Sequence, residues 1–381
     1  MPNPNAIVST TIRLSPSLDR EAAEVMLQRD EGITVELEGE RRVRLDPADP
    51  RSPGFAQVLG GLAELGRPVY LEVDPESDAI TRMFVPHVAR VVGVEERSGS
   101  LDVELDASHA RHVLPLDDPD GPELAERLRS ALRDRRPVVV VEDDAHRIIE
   151  VREYTPDPEG PLPPFGPSLP PKPKPVWWWP PLLDRPFRQI WWWIRWPWWW
   201  WFGCISATRA QEVFDDMAIR TCAPLTVPPP CIPFMYPDDG CWARAHEMCR
   251  LMLGMGLSPN KVWIACSPGH YLHALTKNHP QCFVDWGWHV APTLCVRGPR
   301  WFASQRMVID PSLCTTPVTE AAWKGLQGDP GATLTDTGPD QFWPSGGTDP
   351  TYSSTNATLA QYRLALQNRS NQVGPPPYAN C

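Results

Sequence analysis

The sequence lacks several features that would quickly assign it to a class of protein. No uninterrupted apolar run reaches 18 residues, so no conventional membrane-spanning helix is expected. The N-terminus has no basic start followed by an apolar run, so a Sec-type signal peptide is not expected either. The formal net charge is -11 and no run of lysine or arginine offsets it, which excludes a basic nucleic-acid binder.

Cysteine is absent from residues 1–155, which carry a net charge of -12, whereas all ten cysteines lie in residues 204–381. Residues 156–203 hold 14 of the 47 prolines and 11 of the 18 tryptophans. Such sharp changes of composition mark domain boundaries. We therefore predict an acidic α+β accessory, pro- or targeting domain (1–155), a Pro/Trp-rich linker or anchor (156–203) and a cysteine-rich domain (204–381).

The N-terminal region alternates β-rich runs with two amphipathic helical patterns, at 19–29 and 121–135, which indicates a small α+β domain. The predicted strands are 68–73, 83–94, 101–105, 137–141 and 148–151. Its four histidines have no metal-ligand spacing, so ordinary surface or core positions are expected for them. They are His87, His109, His112 and His146. No chemistry is predicted for this region.

The Pro/Trp-rich segment begins as a stiff polyproline II spacer over 156–176 and continues into tryptophans interspersed with arginine and proline. One interpretation is that the indoles of Trp177–Trp201 cover a groove on a neighbouring domain. The other is contact with a membrane interface, because tryptophan with arginine favours the headgroup layer.

Cys241 is the candidate nucleophile of the cysteine-rich domain. Asp238, Asp239 and Gly240 predict a turn, and the apolar spacing after them predicts a helix over 241–255. A thiol at a helix N-terminus is expected to have a lowered pKa, and nearby backbone N–H groups provide an oxyanion hole.

His289 lies in a predicted strand, and Asp310 ends a second one. Cysteine, histidine and aspartate in this order are typical of papain-like and transglutaminase-like enzymes, in which histidine takes the thiol proton and the carboxylate orients it. The predicted fold class is therefore α+β, with a cysteine-bearing helix packed on an antiparallel sheet. No cofactor and no metal is predicted.

Several ordered blocks resemble the bacterial protein-glutaminase family over about residues 204–381. They are the segment from Cys222 through Cys231, YPDDGCWARAHEM, WGWHVAP, VIDPSL and PVTEAAW. The resemblance implies a cysteine-dependent deamidase that converts glutamine side chains of proteins to glutamate and ammonia. It also implies catalytic roles for Cys241, His289 and Asp310. Family members are secreted with a signal peptide and a propeptide that blocks the active site.

Other interpretations of the same residues stay open at this point. The triad also suits a transglutaminase or a cysteine protease, and the chain could be a non-catalytic interaction protein. Cys241, His246 and Cys249 have zinc-like spacing but no fourth ligand at an expected distance. Asp285 is the second candidate for orienting His289.

Three aromatic residues, Tyr236, Trp242 and Trp288, are predicted to line an apolar slot for the glutamine methylenes. Cys222 and Cys231 are predicted to pair and close a proline-rich loop. Ten cysteines in 178 residues are typical of an exported domain, so we expect a bacterial protein exported without a classical signal peptide or, alternatively, a cytoplasmic one. The expected partners are proteins or peptides with exposed glutamine.

Overall fold

The computed structural model describes residues 5–10, 12–15, 25–26, 32–154, 204–227, 229–298 and 303–381. The Pro/Trp-rich segment lies outside the described residues, as does the helix predicted over 19–29 apart from Val25 and Met26. Among the described residues, six α-helices and several β-sheets form a mixed α and β structure. None of these helices is both long enough and apolar enough to cross a membrane.

The first part of the N-terminal region has two three-stranded antiparallel sheets on one helix. One sheet has the order β1-β5-β6 and the other the order β2-β3-β4. Helix α1 (Ser52–Glu64) buries Phe55, Val58, Leu59 and Leu62 against them, at helical spacing. The strands are β1 (Ala6–Ser9), β2 (Ile12–Ser15), β3 (Ile33–Leu37), β4 (Arg42–Leu45), β5 (Val69–Val73) and β6 (Ile80–Phe84).

The second part of this region is a five-stranded antiparallel sheet with a helix on one face. Its order is β11-β10-β7-β8-β9, and helix α2 (Gly121–Asp134) buries Leu124 and Leu128 against it. The strands are β7 (His87–Arg97), β8 (Ser100–Leu105), β9 (His112–Pro115), β10 (Pro137–Glu142) and β11 (Ile148–Glu153).

The C-terminal region is built on a five-stranded antiparallel sheet of order β17-β16-β15-β12-β18. Helix α3 (Ala207–Ala218) and helix α4 (Cys241–Gly254) pack on β15. The strands are β12 (Asn260–Ala265), β13 (Leu272–Leu275), β14 (Phe283–Trp286), β15 (Trp288–Arg297), β16 (Ser304–Val308), β17 (Val318–Thr319) and β18 (Thr333–Thr337). The expected cysteine-bearing helix on an antiparallel sheet is present; the likeness to papain- or transglutaminase-like enzymes stays a prediction.

The chain then adds helix α5 (Glu320–Gly325), the hairpin of β19 (Gln341–Trp343) with β20 (Gly346–Thr348), and a long helix, α6 (Ser353–Val373). Helix α6 packs against α4 and also against α1, so it joins the two regions. Three disulfides cross-link the C-terminal region: Cys204–Cys295, Cys282–Cys381 and the predicted pair Cys222–Cys231. Four thiols stay free, those of Cys241, Cys249, Cys266 and Cys314.

Candidate active site

The turn before helix α4 is held by a set of hydrogen bonds. Gly240 has a left-handed φ of 77°, and its N–H donates to the Asp239 carboxylate at 2.8 Å. The Tyr362 hydroxyl donates to the other oxygen of this carboxylate at 2.6 Å. Arg244 donates to the backbone carbonyl oxygens of Tyr236 and Asp239. The turn therefore places Cys241 at the first position of the helix, as the sequence predicted.

Cys241, His289 and Asp310 come together beneath the surface. A ring nitrogen of His289 lies within 4.8 Å of the Cys241 sulfur. His289 Nε2 donates to Asp310 Oδ2 at 2.9 Å. All three residues are at most 2% exposed. The structure thus brings the three predicted residues together, with His289 close to both Cys241 and Asp310.

Two tryptophans fix the histidine and its carboxylate. The Trp286 ring stacks on His289 at 4.5 Å between ring centroids, and the Trp323 ring stacks at 5.4 Å. Trp323 Nε1 also donates to Asp310 Oδ2 at 2.9 Å, while the Ser312 N–H donates to Asp310 Oδ1 at 3.2 Å. The imidazole plane is therefore set by packing as well as by its hydrogen bond.

Residues 109–111 of the N-terminal region lie along β14 and enter this site. The N–H of Arg111 donates to the carbonyl oxygen of Asp285 at 3.0 Å, and the N–H of Gly287 donates to the carbonyl oxygen of His109 at 3.0 Å. The segment thus pairs with the strand edge in the way that an extended peptide adds to a sheet. His109, for which no role was predicted, belongs to this segment.

The His109 ring fills the aromatic slot next to the thiol. Its Nδ1 donates to Asp239 Oδ1 at 2.5 Å, and one ring nitrogen lies within 4.8 Å of both the Cys241 sulfur and a ring nitrogen of His289. Its ring centroid is 5.7 Å from that of Trp242 and 4.9 Å from that of Trp288. Two of the three residues predicted to line a substrate slot therefore contact a histidine of this same chain.

The third predicted slot residue, Tyr236, lies elsewhere in the core. Its ring stacks on Tyr362 at 5.6 Å, and the Arg369 guanidinium sits 4.4 Å above it. Both of these ring contacts are with residues of helix α6.

The electrostatics of the covered site differ from the sequence-based expectation. Burial raises the pKa of Cys241 well above its ordinary value, and the charge of nearby Arg244 only partly offsets this. In this covered arrangement, the net shift of the Cys241 pKa is therefore opposite in direction to the expected lowering. Burial also opposes ionisation of Asp310, but His289 and the hydrogen bonds from His289 and Trp323 lower its pKa below the usual value.

The second candidates for the site make other contacts. Asp285 accepts from His273 Nδ1 at 2.7 Å, so Asp310, and not Asp285, is bonded to His289. His246 Nδ1 accepts from Lys261 Nζ at 2.9 Å, so this histidine is not grouped with Cys241 and Cys249 as a metal ligand.

The N-terminal histidines also gather at the interface between the two regions, which sequence spacing did not reveal. His87 and His112 both bond the Glu142 carboxylate, at 3.1 and 2.5 Å. His146 bonds it at 2.8 Å and also lies 3.3 Å from Asp238. In the described residues, three buried groups have metal-ligating atoms within 4.8 Å of one another. They are His109/Cys241/His289, His87/His112/Glu142 and His146/Asp238/His279.

Comparisons with known proteins give one family and a small set of structures. A family model described as glutaminase matches residues 210–327. The chain is similar to a crystal structure of pro-protein-glutaminase, with 20% identity, 78% of this chain and 99% of that chain covered, and a TM-score of 0.47. It is also similar to the NMR structure of protein-glutaminase from Chryseobacterium proteolyticum, with 27% identity, 40% and 84% covered, and a TM-score of 0.35.

A search of curated proteins finds no match. The matched segment, residues 210–327, contains Cys241, His289 and Asp310, the same residues on which the sequence resemblance rests. This segment of the C-terminal region is therefore similar to the glutaminase family.

Proposed function

We propose that residues 204–381 form a protein-glutamine deamidase, which hydrolyses the side-chain amide of glutamine in proteins to glutamate and ammonia. The observation that carries the proposal is the grouping of Cys241, His289 and Asp310 within a segment that matches the glutaminase family.

The first half of the reaction forms a thioester. His289 takes the thiol proton, and the Cys241 sulfur attacks the carboxamide carbon of glutamine. Backbone N–H groups around Cys241, at the start of helix α4, stabilise the oxyanion. His289 returns the proton to the departing ammonia as the C–N bond breaks.

The second half of the reaction releases glutamate. Water gives a proton to His289 and attacks the γ-glutamyl thioester carbon, and the bond to sulfur breaks. The thiolate then recovers the proton from His289. Asp310 keeps Nε2 protonated throughout, so Nδ1 is the nitrogen that exchanges protons with the reacting groups.

We also propose that the N-terminal region inhibits the enzyme until it is displaced or cleaved. His109 lies against Trp242 and Trp288, where a glutamine side chain would have to enter, and it is fully buried there. Displacement would also hydrate Cys241, whose pKa is raised by burial, and would restore the influence of the helix N-terminus.

The test uses a chain with a site-specific protease sequence inserted in residues 156–176 and an affinity tag on the N-terminus. After folding and cleavage, the N-terminal fragment is removed on the affinity resin in mild urea. The remaining enzyme is incubated with a glutamine-rich protein. We expect free ammonia without crosslinked bands and without new protein termini.

The alternatives give different products. Crosslinked bands would show a transglutaminase, new termini a cysteine protease, and no product a non-catalytic interaction protein. Cys241→Ala prepared in the same way is the control, and ammonia release that persists in it would refute the assignment. Equal activity of the uncut and the cut chain would refute inhibition by the N-terminal region.

We further propose delivery to another cell as an effector or toxin, since an active protein deamidase endangers its producer. In that case, expression of the uncovered form in the producer should be toxic, and expression of its Cys241→Ala variant harmless. Equal growth of the two strains would contradict this role.

For Trp177–Trp201, contact with a membrane interface remains our proposal. Flotation of the full chain with liposomes should be lost on deletion of 177–201, and equal flotation of both proteins would contradict it.

A further inference from the structure

Three buried atoms with free electron pairs meet where the N-terminal region covers the active site. The Cys241 sulfur, a ring nitrogen of His109 and a ring nitrogen of His289 lie within 4.8 Å of one another. The two histidine side chains are 0% and 1% exposed. His109 Nε2 and His289 Nδ1 have no hydrogen-bond partner among the described residues. Buried polar atoms are normally satisfied, so this pair requires an explanation.

Two carboxylates determine which ring nitrogens are free. Asp239 accepts from Nδ1 of His109, which places the proton there and leaves a lone pair on Nε2. Asp310 accepts from Nε2 of His289, which leaves a lone pair on Nδ1. Burial lowers the pKa of His109 to about 4 despite the charge of Asp239, so its ring is neutral at pH 7. His109 therefore offers an electron pair on Nε2, and the hydrogen bond of His289 to Asp310 directs its Nδ1, rather than its Nε2, to act as the electron-pair donor.

Hydrogen bonding within this group cannot satisfy both lone pairs. The thiol of Cys241 has one proton, so it can donate to only one of the two nitrogens. The other ring nitrogen of each histidine and both oxygens of each carboxylate already take part in hydrogen bonds. A single electron-pair acceptor, such as a metal ion, could bind the sulfur and both ring nitrogens at once.

We propose that His109, Cys241 and His289 bind a zinc ion in the covered form of the protein. Two imidazoles and one thiolate are ligands that zinc prefers, and three protein ligands leave a fourth position for water. On binding, the thiol releases its proton to solvent as the zinc–sulfur bond forms. A carboxylate behind each ligating histidine is the arrangement usual in zinc proteins, since it fixes the tautomer and raises the basicity of the ring.

The proposed ion would tie the N-terminal region to the nucleophile. His109 comes from that region, whereas Cys241 and His289 come from α4 and β15. The bound metal would block the sulfur and join the two regions through coordinate bonds. The metal site itself is independent of the reaction; only this consequence, a zinc-locked latent enzyme, rests on the proposed function.

The other two buried groups differ because each already contains a carboxylate within ion-pair distance of both of its histidines. Glu142 bonds His87 and His112, and Asp238 lies 3.3 Å from His146 Nε2 and 3.1 Å from His279 Nε2. Neither contains a cysteine. A metal–thiolate signal therefore distinguishes the proposed site from both.

In the first experiment, the full chain with its disulfides intact is treated with a chelator. It is then titrated with Co²⁺ under anaerobic conditions. We expect one equivalent to give the near-ultraviolet charge-transfer band of a cobalt–thiolate bond. Cys241→Ser should abolish the band. His109→Ala removes one of three ligands, so binding should weaken by more than about 100-fold, beyond the roughly 10- to 100-fold effect of losing an outer partner. His270→Ala, which changes an exposed histidine, is the matched control and should bind like wild type.

A second measurement does not depend on whether a variant folds. Zinc-loaded wild type is studied by X-ray absorption, where we expect one sulfur at about 2.3 Å and two imidazole nitrogens at about 2.0–2.1 Å. A shell of nitrogen and oxygen alone, a cobalt–thiolate band that survives Cys241→Ser, or equal Co²⁺ affinity of folded His109→Ala and wild type would overturn the proposal. None of these measurements reads deamidation, so they can fail while the proposed function stands.

Discussion

At the scale of single residues, the proposed mechanism gives Asp310 a role that its neighbour Asp285 is not placed to take over. Its Oδ2 accepts from both His289 and Trp323 at 2.9 Å, while Asp285 is engaged with His273. A carboxylate at this place fixes the tautomer of the histidine and stabilises the imidazolium formed during the reaction.

Asp310→Asn should therefore lower the kcat of the uncovered enzyme by roughly 10⁴-fold, the size of effect seen when the orienting carboxylate of a triad becomes an amide. The amide can present its N–H₂ to Nε2 and so favours the wrong tautomer of His289. Ammonia release under saturating substrate measures the effect.

Asp285→Asn is the matched control, because Asp285 lies close by on β14 and bonds a different histidine. Its kcat should stay within a few-fold of wild type. Comparable losses of kcat in the two variants would mean that negative charge near the site, and not the specific contact of Asp310 with His289, supports the reaction.

Sequence reasoning singled out Cys241, His289 and Asp310 from local patterns and from the family resemblance: a DG turn before a helix, a strand that carries the histidine and a strand that ends at the aspartate. It missed His109 because nothing local distinguishes this histidine from the others nearby. Its partner Asp239 is 130 positions away along the chain. Only the docking of two regions reveals that its ring enters the site.

At the scale of elements, the turn before helix α4 determines where the nucleophile lies. Gly240 adopts a φ of 77°, and a Cβ there would meet the Tyr362 ring at 2.4 Å. Tyr362 is itself held by its hydrogen bond to Asp239, so the ring cannot move away without breaking that bond.

Gly240→Ala should lower the free energy of unfolding by about 1–3 kcal/mol, from the left-handed backbone and the overlap with Tyr362 together. Gly254→Ala is the control, because Gly254 lies in the same helix and a Cβ there would meet nothing within 4 Å. That change should be neutral or stabilise by up to about 1 kcal/mol. Urea unfolding of both variants tests the pair, and equal stabilities would show that the turn tolerates a side chain.

Elements were predicted correctly where the hydrophobic periodicity was strong, and incorrectly where proline or glycine interrupted the pattern. The helix expected over 121–135 is α2, and that expected from Cys241 is α4. The strand expected over 83–94 is two strands, β6 and β7, because Pro86 lacks the N–H that a continuous ladder needs. Helix α1 was missed, although Phe55, Leu59 and Leu62 have helical spacing, because its two central glycines weaken the helical signal.

At the scale of the whole molecule, buried charges link the two regions. Arg369 of helix α6 donates to both oxygens of Asp238 at 2.8 Å and to Asp144 of the N-terminal region at 3.0 Å. His146 lies between Glu142 and Asp238, so it connects a carboxylate of one region with a carboxylate of the other. This arrangement makes the closed form depend on pH.

The sign of that dependence follows from three groups. Burial opposes ionisation of Glu142 and Asp238, yet neighbouring histidines, and Arg369 beside Asp238, keep the pKa of each well below its usual value. Their stabilisation is complete above their ordinary pKa values of 4.5 and 3.8 and is lost as the pH falls through the depressed ones. Burial likewise opposes protonation of His146, yet Glu142 and Asp238 keep its pKa well above 6.5, so its stabilisation is complete below pH 6.5 and is lost as the pH rises through the raised value.

The contribution of Glu142, Asp238 and His146 to the free energy of unfolding should therefore be largest between about pH 4.5 and 6.5 and should decline on both sides. His146→Gln removes the positive charge between Glu142 and Asp238, so its loss of unfolding free energy should be greatest in that window and should shrink as the pH rises through the raised pKa of His146. Urea unfolding of wild type and variant across the pH range gives this difference directly.

His270→Gln, at an exposed histidine, should show no such window. A His146→Gln difference that stays constant from acid to alkaline pH would mean that His146 acts by shape and hydrogen bonding alone, and that the protonated ring does not hold the two regions together.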